Sequence, residues 1–229
     1  MPRLQPSALI FDVFGTCVDW RSSVAREVAA VLDVDACEFA DAWRAEYQPA
    51  MDRVRTGGRG YVPLDILHLE NLNLVAQRFG VSAPAHLSQA WERLDPWSDV
   101  QPGLRELKRD HIIAPCSNGS IALMTHLARY GGLPWDCILG ADIARDYKPN
   151  AAVYLASCAA LQLEPSQVMM VAAHNSDLHA AQKAGLLTAF VPRPTEYGHQ
   201  QTTDLKPDSA WDLCVEDFTE LAGALNDRR

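Results

Sequence analysis

An aspartate, Asp12, stands by itself at the end of the apolar run Ala8-Leu9-Ile10-Phe11, and the next polar side chain, Thr16, lies beyond a Phe14-Gly15 turn. Three later loops are loaded in the same way. They read Cys116-Ser117-Asn118-Gly119, Asp146-Tyr147-Lys148-Pro149 and Ala173-His174-Asn175-Ser176-Asp177. If those loops meet, they supply a carboxylate, two hydroxyls, an amide, an ammonium and a second carboxylate. A cation beside an anionic oxygen keeps it ionised, and short donors position it, so the set suits nucleophilic or acid-base chemistry. Taken singly, each feature has a plainer use. Asp12 alone reads as a turn or cap residue, Ser117-Asn118-Gly119 as an ordinary turn, Lys148 as a loop lysine and Asp177 as a helix cap. Their order along one chain, four loops each behind an apolar run, favours function.

The elements that must position these loops follow from the hydrophobic pattern. Besides Ala8 to Phe11, the runs Ile112 to Cys116, Cys137 to Leu139, Val168 to Ala172 and Thr188 to Val191 read as buried parallel strands. Helical patterns separate them. IALMTHLARYG stops near Gly131, NAAVYLASCAALQL opens behind Pro149 with Asn150 as N-cap, and SDLHAAQKAG ends on Gly185. The alternation predicts an α/β fold with a Rossmann-like, doubly wound parallel sheet as core. Ligands gather outside the carboxyl ends of such strands, where the four loops lie.

Residues 18–98 differ, with helical periodicity in VAREVAAVLDV, FADAWRAEY and LDILHLENLNLVAQRFG and no convincing strand. They predict an inserted, all-helical cap domain, with 1–17 and 99–229 forming the core. VRTGGRGYVP interrupts the helices and clusters Arg53, Arg55 and Arg59. The tail from Ala210 to Leu225 predicts a short helix packed on the sheet.

A length of 229 residues with 48% hydrophobic content suits one sizeable core plus an insertion. A net charge of −9 with dispersed basic residues offers no field for nucleic acid or an anionic membrane. No segment approaches the length of a membrane span and the N-terminal apolar run is too short for a signal peptide, so the expected location is cytoplasmic. Cys17, Cys37, Cys116, Cys137, Cys158 and Cys214 are scattered without a C-x-x-C pair, which points to buried free thiols and away from disulfides and zinc.

In chain order, DVFGT from Asp12, SNG from Ser117, YKP from Tyr147 with Tyr154 after it, and Asp177 ahead of AAQKAG resemble the four motifs of the haloacid dehalogenase superfamily. The likeness spans essentially the whole chain. FGTCVDWR, YKPNAAVY and VPRPTEYG look most like its L-2-haloacid dehalogenase branch. Phosphatases of the superfamily usually carry D-x-D, where the second acid protonates an alkoxide and magnesium screens the phosphoryl group. Here Phe14 holds the second position and Ala172-Ala173 stand where Gly-Asp would supply a magnesium ligand. A departing halide needs no proton.

The resemblance therefore implies hydrolytic dehalogenation of short 2-haloalkanoic acids, with no metal and no cofactor. Asp12 would displace halide from C2 and the resulting ester would be hydrolysed by water. Lys148 would keep Asp12 ionised, Asp177 would hold Lys148 or orient water, and Thr16 and Ser117 would position Asp12 or the substrate carboxylate. Phe14 and Gly15 would line the pocket, Asn118 would donate to the halide and Tyr154 would complete the site. Two departures leave choices open. The family's Ser-x-Asn pair is replaced by Ala172 and His174, with Asn175 one place on, so His174 activates water or Asn175 supplies the amide. The family's cap arginine aligns with Met51, leaving Arg53, Arg55 or Arg59 as substitutes. Rival readings are a phosphatase or phosphonate hydrolase of the superfamily, and a non-catalytic binding protein of the same fold. The family often forms homodimers, which leaves that assembly open.

Overall fold

The computed structural model describes residues 5–226. Its main sheet has six strands: β1 (Ala8–Phe11), β4 (Ile112–Ser117), β5 (Leu139–Gly140), β6 (Val168–Ala172), β7 (Leu187–Phe190) and β8 (Leu213–Cys214). Two further two-residue strands, β2 (Val18–Asp19) and β3 (Asp95–Pro96), pair antiparallel where the chain enters and leaves the inserted helices. The order across the main sheet is β5-β4-β1-β6-β7-β8, every pair parallel. After β1 the chain builds outward through β4 and β5, then crosses back to β6 on the other side of β1. The reversal of winding falls at β1, and a crevice opens beyond its carboxyl end.

Continuous apolar runs form these strands because helices cover both faces of the sheet. The two-residue period divides them: Leu9, Phe11, Met169 and Val171 enter one apolar core, while Ala8, Ile10, Met170 and Ala172 enter the other. Each fully buried Leu, Ile, Phe, Met or Val among them contributes about 1.5–3 kcal/mol. The doubly wound core expected from the sequence is the core observed.

Between β2 and β3 lie α1 (Trp20–Ala29), α2 (Ala36–Ala45), α3 (Tyr47–Thr56) and α4 (Leu64–Arg78), then a 3₁₀ segment over Ala85–Glu92. Side-chain caps start two of them: Asp19 accepts from the Ser22 N–H (3.0 Å) and Asp35 from the Glu38 N–H (2.9 Å). Trp20, Trp43 and Trp91 are buried at the centre, with Trp20 stacked on Trp91 at 6.1 Å. Phe14 reaches up from the loop after β1 and meets Trp91 edge-on at 5.6 Å, so cap and core share one apolar cluster.

The remaining helices are α5 (Val100–Leu107), α6 (Ile121–Gly131), α7 (Ala141–Ala144), α8 (Ala151–Ala160), α9 (Asn175–Lys183) and α10 (Phe218–Asn226). Ser120 caps α6 and Asn150 caps α8 through their side chains. Two expectations need correction. The segment 18–98 is not free of strand, because β2 and β3 pair at its two ends; two residues each, one of them Pro96, carry no readable period. The tail contains β8 as well as a helix. Of the cysteines, Cys17, Cys116 and Cys158 are buried, but Cys37 and Cys214 are exposed, and none is in a disulfide. Among the described residues, no helix is long and apolar enough to cross a membrane.

Candidate active site

Asp12 follows β1 directly, and its N–H still donates to Val171 O on β6 (3.0 Å), which fixes the side chain at the mouth of the crevice. The turn behind it closes through Cys17 N–H to Val13 O (2.9 Å) and Gly15 N–H to Val18 O (3.1 Å). Thr16 is thereby returned to the carboxylate. Its hydroxyl donates to Asp12 Oδ2 (2.8 Å) and accepts from the Ala173 N–H (2.9 Å), tying the β1 and β6 loops together.

Lys148 arrives from the loop before α8 and donates from Nζ to Asp12 Oδ1 (2.8 Å) and, more closely, to Asp177 Oδ2. The Tyr154 hydroxyl donates to Asp177 Oδ1. From the β6 loop, His174 places Nδ1 3.1 Å from Asp12 Oδ2 and Nε2 2.8 Å from Glu196 Oε2. Burial alone would raise the Asp12 carboxyl, but the Lys148 ammonium and His174 outweigh it and hold the group well below the usual carboxylate range. Burial works against the charge on Lys148 and on His174 too. Asp12 and Asp177 nevertheless lift Lys148, and Glu196 and Asp12 lift His174, well above their ordinary values. For Asp177 burial raises the carboxyl, against Lys148 and with the Asp12 charge.

These groups open on a cavity of about 360 Å³ lined by Asp12, Phe14, Asn118, Lys148, His174 and Asp177 from the core, and by Arg44, Tyr47 and Gln48 from the cap. Asn118 is held by its backbone neighbour, since its Oδ1 accepts from the Lys148 N–H (2.6 Å).

Several sequence candidates fall elsewhere. Arg53 pairs with Glu46 at 3.7 Å on the cap surface. Arg55 donates to the carbonyls of Tyr147 (2.7 Å) and Lys148 (3.1 Å), clamping the loop that carries Lys148 from outside. Arg59 is bound by Glu70, and Met51 is buried in the cap core. The cavity arginine is Arg44. Asn175 also stands outside: its Nδ2 donates to Asp204 and Lys206 O, and its Oδ1 accepts from Asp208 N–H and Trp211 Nε1, which uses the whole amide to pin the 204–211 loop. Ser117 is fully buried and its hydroxyl accepts from Gly119 N–H (3.1 Å), shaping the turn that presents Asn118. Tyr154 is buried behind Asp177, not on the cavity.

Arg44 and Glu196 are not among the sequence candidates. Arg44 sits beside Trp43 on α2, with its guanidinium 4.0 Å from the Tyr47 ring and 5.6 Å from the Trp20 ring. Its Nε is buried without a hydrogen-bond partner, and it forms no ion pair among the described residues. The signal available was a cation in the Trp43-Arg44-Ala45-Glu46-Tyr47 stretch, three places from an aromatic and on the turn of the helix that Trp43 buries. Glu196 is 1% exposed and lies in the loop after β7, where Arg193 anchors the chain by donating to Thr16 O (2.9 Å) and pairing with Asp99. Trp20 Nε1 donates to Glu196 Oε1 (2.9 Å).

Gly15 does not line the cavity; it makes room for Glu196. Its φ is +87°, and a Cβ there would lie 2.1 Å from Glu196 Oε1. Gly15→Ala is expected to cost about 1–2 kcal/mol for the left-handed backbone alone, and to expel the Glu196 carboxylate from its place. An unchanged urea midpoint would contradict this.

The donor set does not fit a divalent cation. Asp12 Oδ1 is engaged by Lys148 and Oδ2 by Thr16 and His174, and Phe14 and Ala173 bring no oxygen from their side chains. Magnesium needs an oxygen-rich octahedral shell. Among the described residues, no group of three or more His, Cys, Asp and Glu side chains is placed to hold a metal.

A parallel sheet with a buried, ionised carboxylate at its switch point, covered by an inserted helical cap, defines a capped Rossmann-like hydrolase. The family model for haloacid dehalogenase-like hydrolases matches residues 6–185, and the chain belongs to that family. A curated (S)-2-haloacid dehalogenase from Pseudomonas sp. (strain YL) is 30% identical over 192 residues, 81% of this chain and 82% of that protein. (S)-2-haloacid dehalogenase 4A from Burkholderia cepacia is 28% identical over 229 residues, 94% of this chain and 97% of that one. The solved structure of the defluorinating L-2-haloacid dehalogenase Rha0230 superposes with a TM-score of 0.95 at 46% identity, covering 98% of each chain. That of the L-2-haloacid dehalogenase PA0810 gives 0.93 at 44%, covering 97% of this chain and 99% of the other. Within the family the chain stands with the L-2-haloacid dehalogenases.

Proposed function

We propose that the protein hydrolyses short (S)-2-haloalkanoic acids to 2-hydroxy acids through an ester on Asp12, without a metal ion. One observation carries the reading: an Asp12 carboxylate kept ionised in a small cavity with Phe14 two places on, where a leaving-group acid would stand. Attack by a carboxylate oxygen on C2 forms the C–O bond as the C–halogen bond breaks, and the halide leaves with the bonding pair. A weakly basic halide needs a cation and not a proton, and Arg44 is a cavity cation without a counterion among the described residues. Lys148, whose charge is already shared between two carboxylates, is suited to keep Asp12 anionic in the resting site and to steady the oxyanion when the ester is opened. Water attacking the Asp12 carbonyl carbon then cleaves the acyl–oxygen bond, so C2 is inverted once and the product is the (R)-2-hydroxy acid. The names of the relatives support the substrate class and its configuration. Closure of the cap would keep water from the displacement.

The test is halide release from each 2-chloropropionate enantiomer, chloroacetate and fluoroacetate, with and without EDTA, and a single turnover in oxygen-18 water. Release from the S enantiomer unaffected by EDTA, with label entering Asp12 and not the product in that single turnover, is expected. Unlabelled Asp12, or activity on a phosphate ester that EDTA abolishes, would refute the reading.

A further inference from the structure

His174 has a carboxylate oxygen against each ring nitrogen: Asp12 Oδ2 at Nδ1 and Glu196 Oε2 at Nε2. A neutral imidazole has one N–H, so it can satisfy only one of these acceptors; the doubly protonated ring satisfies both. The resting ring is therefore a cation donating to Asp12, in no state to take a proton from water. Every other charged or titratable group around it holds a fixed partner or faces the cavity. Lys148 lies between Asp12 and Asp177, Asp177 uses one oxygen on Lys148 and the other on Tyr154, and Arg44, Tyr47 and Tyr197 line the same cavity. Glu196 is held through its second oxygen by Trp20, the first residue of α1, and sits in the space that Gly15 leaves.

We propose that His174, oriented by Glu196, is the base of the ester-hydrolysis step, and that it becomes a base only when Asp12 has been alkylated. The proposal rests on the ester reading above. Alkylation turns the Asp12 carboxylate into a neutral ester, which removes the anion facing Nδ1 while Glu196 keeps its hold on the Nε2 proton. Nδ1 then gives up its proton to solvent, the proton that accompanies halide in the overall reaction. The freed lone pair lies on the Asp12 side of the ring, where Nδ1 stands 3.1 Å from Oδ2 of the resting carboxyl group. Water there passes one proton to Nδ1 as its oxygen bonds to that carbon. The tetrahedral adduct expels the hydroxy-acid alkoxide, which takes the proton back from Nδ1. The acid proton left on the regenerated Asp12 carboxyl moves to Nδ1, restoring the carboxylate and the resting imidazolium. One water is consumed and one proton and one halide are released, as hydrolysis requires. Glu196 is not among the residues lining the cavity and acts through His174, so it is a positioning residue. Asp177 is the competing base, but both its oxygens are taken.

His174→Asn, Glu196→Gln and Asp177→Asn can be compared with wild type by mixing each with (S)-2-chloropropionate and quenching in acid. Chloride released per site in the first turnover is counted, and the protein is weighed for one carboxyethyl group on Asp12. Expected for His174→Asn is one chloride per site at close to the wild-type rate, then a stall with the adduct in place and steady turnover down about 10²-fold. Glu196→Gln, which keeps shape and loses charge, should show the same split to a smaller degree. A merely structural role would slow both halves together. The proposal is overturned if His174→Asn turns over like wild type, if its first-turnover chloride falls as far as its steady rate, or if only Asp177→Asn accumulates the adduct. Absence of chloride and adduct from every protein, wild type included, would instead remove the ester reading itself.

Discussion

Asp12→Asn is expected to lose halide release by on the order of 10⁴-fold or more in kcat, with no adduct on the protein after exposure to substrate. The amide is neutral and has no anionic oxygen to form the bond to C2, so first-turnover chloride should vanish along with steady release. This distinguishes it from the His174 and Glu196 variants. The fold should persist, because Lys148 remains paired with Asp177, and His174 with Glu196. The replacement does set an amide N–H₂ among the donors of Thr16, Lys148 and His174, and a mismatched buried donor costs about 1–3 kcal/mol. A lowered but cooperative thermal transition is therefore expected beside the lost activity. Asp12 is held ionised well below the usual carboxylate range. First-turnover halide release in the wild type should accordingly show no inflexion near the ordinary carboxylate pKa as pH is lowered, until the fold is lost. An Asp12→Asn protein that still releases chloride at even a hundredth of the wild-type rate would point to direct attack by water.

The sheet core was legible because burial on both faces leaves an unmistakable mark: continuous apolar runs of three to five residues, four of them followed by a loop of reactive groups. Asp12, Thr16, Lys148, His174 and Asp177 could be gathered from sequence since each stands within a few residues of a strand end or of the helix that follows, and a doubly wound sheet brings such ends together. What failed to read is what depends on the cap and on long returns of chain. Arg44 lies on a helix whose pattern says only that Trp43 faces inward; that the guanidinium beside it turns over Tyr47 into the cavity is decided by packing between α2, α3 and the core. Arg53, Arg55 and Arg59 drew attention as a cluster beside glycines, yet each is spent on a carboxylate or carbonyl at the surface. The place of Asn175 in the β6 loop leaves it, beside His174, as a candidate for the site. Its partners, residues 204–211, lie about thirty positions away, and no local pattern announces that they use up the amide. Glu196 escaped for the same reason, being joined to Trp20 across 176 positions of chain.

Arg44→Ala should lower kcat/KM for (S)-2-chloropropionate by about 10³-fold, which follows from a charge count in the cavity. Three cations line it: Arg44, Lys148 and His174. Lys148 lies between Asp12 and Asp177, and His174 between Asp12 and Glu196, so neither has charge to spare. The substrate arrives as an anion and must approach a second anion, and in the transition state negative charge passes from the Asp12 oxygen to the halogen. Only Arg44 can balance that movement. A cation 4 Å from a unit charge at an effective dielectric near 20 is worth about 4 kcal/mol, close to three powers of ten in rate. The loss should appear in kcat as well as KM, because the halogen carries its charge only as the bond breaks. Arg44→Lys keeps a point charge but gives up the planar stack on Tyr47, so its loss should be intermediate. Inhibition by added chloride or bromide should weaken in step with the rate, as the same guanidinium meets the free product. If Arg44→Ala stays within threefold of wild type in kcat/KM, the halide is cradled by some other group, and Asn118, which lines the same cavity, becomes the residue to replace.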